Sequence, residues 1–121
     1  MIKTQIIEKI IENYNYSHKF LMENLETYKY FSDIIVKKAY KEGNLKSKYK
    51  HLIGLGISIV LNCQSCVFIH MKDALESGCT YKQVLEVFEI TVEMGGGPAF
   101  VRNQYNLRIL NALKKSCYAE K

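Results

Sequence analysis

Apolar residues recur at every third or fourth position along almost the whole chain, and this rhythm restricts the fold more than any other feature. In the first segment Ile6, Ile7, Ile10, Ile11 and Tyr14 follow it. After Ser17, which suits a helix N-cap, Phe20, Leu21, Leu25, Tyr28, Phe31, Ile34 and Ile35 continue on one stripe. This second helix should end near Glu42-Gly43, where Gly43 suits the left-handed position beyond a helix. A third should begin at about Asn44 and run through "LKSKYKHLIGLGISIVL". Its β-branched "ISIVL" reads equally as a buried strand, although Gly54, Gly56 and Ser58 would let a buried helix approach a neighbour closely. The segment Cys63 to Ser77 stops at Gly78, and Thr80 with Gln83 forms a capping box for a helix carrying Val84, Leu85, Val87, Phe88 and Val92. "GGG", residues 95 to 97, ends that helix, and Pro98 suits the first turn of a last one reaching about Cys117. The expected fold is all-α, a bundle of five or six helices.

At 121 residues the chain fits one small domain, with residues 1–16 as a helical extension. A monomer of this size buries only about two-thirds of its unfolded surface, so completion of the core by homo-oligomerisation is expected. Much of the basic excess, net +5, lies in "KKAYKEGNLKSKYK", residues 37 to 50, which reads as a solvated turn. With two arginines and no binding motif, a nucleic-acid partner is not expected. The start "MIKTQIIEKIIENY" mixes charges into its apolar residues, and the apolar run Leu52 to Leu61 is far too short for a membrane span. No membrane partner is expected, and the setting reads as cytoplasmic, where a CxxC pair points to redox or metal chemistry.

That pair stands in "NCQSCVFIH", Asn62 to His70. On a helix Cys63 and Cys66 are three residues apart and Cys66 and His70 four, so all three share one face. Only a thiolate attacks a peroxide or disulfide, and a free thiol is mostly protonated at neutral pH. His70 could accept the Cys66 proton or, as a cation, stabilise its thiolate. A helix N-terminus near Cys63 would also lower a thiol pKa. Three other readings compete. Zinc could bind Cys63, Cys66 and His70 with Cys79 as a fourth ligand. A thioredoxin-like fold would take "ISIVL" as the strand before CxxC. Alternatively, the cysteines could be simple core residues. Cys79, after a helix-ending glycine, and Cys117, near the C-terminus, read as incidental, and His18 as a surface residue.

The chain resembles the carboxymuconolactone decarboxylase family in its thiol-bearing, AhpD-like branch. The resemblance runs from about Phe20 to Leu113 and rests on the CxxCxxxH of Cys63, Cys66 and His70, on "ALESGCTYKQVLEVFE", and on "GGGPA" before the last helix. It implies an all-helical fold in trimers or hexamers, and peroxidase or disulfide reductase activity without a metal or other cofactor. By motif position Cys66 corresponds to the attacking thiol, Cys63 to the resolving thiol and His70 to the proton-transfer histidine. True carboxymuconolactone decarboxylases do not depend on this CxxC. The AhpD-like pattern also has a relay glutamate twelve residues before the first cysteine, where this chain has His51. Glu42 lies in the preceding turn and Glu76 beyond the motif, so no acid is expected to substitute. The expected protein is a thiol-dependent peroxidase or thiol–disulfide oxidoreductase with an antioxidant role. Its substrate would be a hydroperoxide or a disulfide, and a thiol reductant, protein or small molecule, would restore it. The alternatives are a non-catalytic helical assembly or metal-binding module, or a lactone decarboxylase.

Overall fold

The structure is a computed structural model that describes residues 4–115. It is helical, with no strand among the described residues. The chain divides into two compact units, Met1–Glu42 and Gly43–Lys121.

In the first unit α1 spans Thr4–Asn24, α2 Glu26–Tyr30 and α3 Lys37–Tyr40, with a wider π-helical stretch over Phe31–Val36 between the last two. The N-cap expected at Ser17 is not formed, because α1 runs straight through it. One side-chain cap cannot compete with continued backbone bonding on both sides. The break falls at Leu25, which adopts φ −123° and ψ 109°. Asn24 Nδ2 donates to the Phe20 carbonyl at 2.8 Å there, adding a side-chain bond to the last turn. His18, expected at the surface, is half-buried: its Nδ1 lies 2.7 Å from the Tyr28 hydroxyl and its ring stacks on Tyr14. The left-handed Gly43 is also absent, since Gly78 and Gly96 are the glycines with positive φ. Helix α3 ends at Tyr40 and Lys41 leaves in an extended conformation, φ −64° and ψ 157°, before Gly43 is reached. The apolar stripe is largely uncovered, with Phe20, Phe31 and Ile35 all about half exposed.

In the second unit α4 spans Ser47–Val60, α5 Gln64–Glu76 and α6 Tyr81–Lys115. The ambiguous "ISIVL" is helical up to Val60. Ser58 spends its hydroxyl inside the helix, donating to the Gly54 carbonyl at 2.6 Å. Leu55 and Ile59, one turn apart, bury the same face. A Cβ on Gly56 would meet Val87 Cγ1 of α6 at 3.5 Å, an ordinary contact, so the packing of α4 on α6 does not require glycine there. The core joins these to Val67, Met71 and Ala74 of α5 and to Val84, Leu110 and Leu113 of α6.

Punctuation in this unit follows local chemistry. Gly78, at φ 101°, ends α5: the Gly78 N–H donates to the Leu75 carbonyl at 3.1 Å and the Cys79 N–H to Ala74 at 2.9 Å. This is the paired 5→2 and 6→1 bonding of a Schellman turn. Thr80 and Gln83 cap α6 reciprocally, at 2.9 and 3.1 Å. Within α6 the helical path is interrupted at Gly96, φ 67° and ψ −151°, a region that only glycine enters readily. Pro98 follows in the first turn of the second arm, where a missing N–H costs nothing. A polar chain ties the two arms: Asn106 Nδ2 donates to Asn103 Oδ1, and Asn103 Nδ2 donates to Thr91 Oγ1, both at 3.1 Å. Cys117 lies outside the described residues.

Candidate redox site

The site is assembled at the joint between α4 and α5. Asn62 takes the left-handed conformation, φ 60°, and its N–H donates to the Ile59 carbonyl at 3.1 Å. The Cys63 N–H donates to the Ser58 carbonyl at 3.0 Å, completing a second Schellman turn. Asparagine tolerates this conformation better than most residues with a side chain, so the position was readable from the sequence. Arg102, from the second arm of α6, caps the same helix end. Its Nε donates to the Ile59 carbonyl at 3.1 Å and its Nη2 to that of Val60 at 3.4 Å.

The turn leaves Cys63 as the N-cap residue of α5, φ −103° and ψ 95°. The Cys66 N–H donates to Cys63 Sγ at 3.3 Å. The two cysteines form a disulfide across one helical turn, with their Cα atoms 5.2 Å apart. Beside Cys63 is a recess of about 30 Å³, bordered by Asn62, Arg102, Tyr105 and Asn106, with room for a water-sized group.

His70 follows Cys66 by one turn of α5, and His51 of α4 faces it, the ring centroids 5.9 Å apart. Burial is the main cause that lowers the pKa of each imidazole, which favours the neutral form. For His70 the neighbouring His51 pushes the same way, while Asp73 opposes. For His51, Asp73 and Glu76 oppose and Lys72 reinforces.

Asp73 corrects the expectation that no acid serves this site. Its Oδ2 lies 4.0 Å from His51 Nδ1, an electrostatic contact longer than a hydrogen bond. The signal was present, since Cys66, His70 and Asp73 recur at four and three residues along one helical face. The structure thus bonds Cys63 to Cys66 and sets His51 against His70 and Asp73, with Cys66 and His70 one turn apart on α5.

Cys79 stands apart. It is buried, its Sγ donates to the Lys48 carbonyl at 3.5 Å, and burial pushes its thiol pKa up. The zinc set of Cys63, Cys66, His70 and Cys79 is not assembled, because two of its sulfurs are bonded to each other and the third points to Lys48.

The sequence profile of the carboxymuconolactone decarboxylase family matches residues 25–103. The chain belongs to this family. Among its relatives, an uncharacterized protein of Cupriavidus necator is 34% identical over 79 residues, 65% of this chain and 70% of that one. A protein encoded in the cox locus of Paracoccus denitrificans, also uncharacterized, is 29% identical over 64% and 69% of the two chains. A family member from Legionella pneumophila, solved in its apo form, superposes with a TM-score of 0.71 at 27% identity, covering 97% of each chain. Another from Thermotoga maritima, described with a possible part in the antioxidative response, gives 0.76 at 23% identity over 88% and 91%. That likeness bears on the fold alone. No helix among the described residues is long and apolar enough to cross a membrane.

Proposed function

We propose that this chain is a cytoplasmic thiol–disulfide oxidoreductase of the AhpD-like kind that reduces hydroperoxides or disulfides. The observation that carries this reading is the Cys63–Cys66 disulfide at the start of α5, with His70 one turn further on the same helix. In the reduced protein Cys66 gives up its proton to the neutral His70, and the thiolate attacks the distal peroxide oxygen. The O–O bond breaks, an S–OH group forms on Cys66, and the departing alkoxide takes a proton from His70 to leave as alcohol. Cys63 then attacks Cys66 Sγ, closing the disulfide and expelling water. With a disulfide substrate the first product is a mixed disulfide on Cys66, which Cys63 resolves in the same way. An external thiol reductant, protein or small molecule, restores the dithiol. His51 exchanges protons with His70 and Asp73 supplies the negative charge behind them.

One equivalent of a hydroperoxide added to reduced protein should remove two thiols per chain and yield a Cys63–Cys66 disulfide, read by mass spectrometry. Thiols that persist no less than those of free cysteine under the same conditions would overturn the assignment.

The working form in this reading is a homo-oligomer, a trimer or hexamer. It is supported by an apolar groove of about 690 Å³ between α4 and α6, lined by Ile53, Ile57, Ile90 and Met94, each at least half exposed. An apolar groove of this kind suits burial against a second copy. Light scattering should find an assembly that Ile57→Glu dissociates; a wild-type monomer at micromolar concentration would remove this part of the proposal.

A further inference from the structure

We propose that His51, His70 and Asp73 form a binding site for a divalent transition-metal ion of the zinc class, distinct from the thiol pair. One donor atom from each residue lies within 4.8 Å of the other two. His70 and Asp73 stand three residues apart on α5 and so project on one face, while His51 enters from α4. Zinc bonds of about 2.0–2.2 Å in tetrahedral array set donors about 3.4 Å apart. His51 Nδ1 and Asp73 Oδ2, at 4.0 Å, are within side-chain rotation of that spacing.

The donor chemistry fits. Two imidazoles and a carboxylate suit borderline first-row metals, and three protein ligands leave a fourth position for water. Burial holds both imidazoles in the neutral form that ligates. Lys72 Nζ sits 3.5 Å from Asp73 Oδ1, so this cation steadies the carboxylate from one side while Oδ2 faces His51. Supporting contacts of this kind orient ligands in metal sites. Lys72 also pairs with Glu76 at 3.3 Å, so one lysine is set against two carboxylates and the local charge stays negative.

The test uses full-length protein with the Cys63–Cys66 disulfide closed and Cys117→Ser introduced, so that the paired thiols cannot bind metal. Cobalt(II), with its visible d–d bands, is the probe, and zinc is the competitor. We expect one equivalent of cobalt per chain with bands of tetrahedral intensity, displaced by zinc. Asp73→Asn, an isosteric change at a partly exposed position, should weaken binding by at least about tenfold. His51→Gln should do the same, and His18→Ala should leave binding unchanged. Absence of the bands, or equal affinity in Asp73→Asn and His51→Gln, would overturn the site. Any slowing of thiol chemistry by the bound ion rests on the function proposed above, because ligated imidazoles cannot carry protons. Zinc-loaded protein that is oxidised as fast as metal-free protein would count against the relay and leave the binding result intact.

Discussion

Replacing Cys66 by serine should lower hydroperoxide consumption by at least about a thousandfold, because the thiolate proposed to attack is gone. A serine hydroxyl is nearly isosteric with the thiol but stays protonated at neutral pH, so the fold survives while the nucleophile is lost. Cys63→Ser separates the two sulfurs. It should lose one thiol per peroxide, accumulate a sulfenic acid on Cys66 that a dimedone probe captures, and then stop. The structure makes this comparison sharp, because Cys63 Sγ is the sulfur that accepts the Cys66 N–H at 3.3 Å. If that contact made Cys63 the attacking thiol, the phenotypes would exchange: Cys63→Ser would be inert and Cys66→Ser would trap the sulfenic acid. Two variants that both consume peroxide at the wild-type rate would remove the thiols from the reaction altogether.

Met71→Ala should destabilise the protein by about 2–5 kcal/mol, the cost of deleting a fully buried side chain and leaving a partly collapsed cavity. Met71 has no exposed surface and lies on α5 between His70 and Asp73, its side chain directed into the core shared with α4 and α6. A domain of this size has roughly 5–15 kcal/mol in total, so the loss would be visible as a large fall in the urea midpoint. Val101→Ala is the internal control. That residue is 61% exposed and lies outside the apolar groove, and its truncation should shift stability by no more than about 0.5 kcal/mol. Equal midpoints for the two variants would show that the described core is wrong. Met71→Leu keeps most of the volume and should cost less than about 1.5 kcal/mol.

Signals confined to a few residues were the readable ones. The Thr80–Gln83 capping box, the glycine stop at Gly78 and the break within residues 95–97 each depend on neighbours in sequence, and each is found where local chemistry puts it. The Cys63–Cys66 pair was legible for the same reason. Ser17 and Gly43 show the limit: both residue types favour helix ends, but neither can end a helix whose neighbours prefer to continue or have already left it. "ISIVL" was ambiguous because β-branched residues fit any buried setting, and packing of Leu55 and Ile59 decided it. His51 meets His70 only through the packing of α4 on α5, a contact that no spacing encodes. The spacing of Asp73 from His70 was plain, but its approach to His51 depends on that same packing of α4 on α5.

The clasp of Arg102 on the Ile59 and Val60 carbonyls bears on the energy of the electron pair this joint would store. Those carbonyls belong to the negative pole of α4, which the turn at Asn62 joins to the start of α5, where a reduced sulfur would carry its charge. Covered by a guanidinium, they no longer repel it, and the positive pole of α5 acts unopposed. A stabilised thiolate lowers the free energy of the dithiol against the disulfide, which raises the reduction potential of the couple. In the function proposed above, Arg102, far from the motif in sequence, would thus bias the cysteines toward accepting electrons.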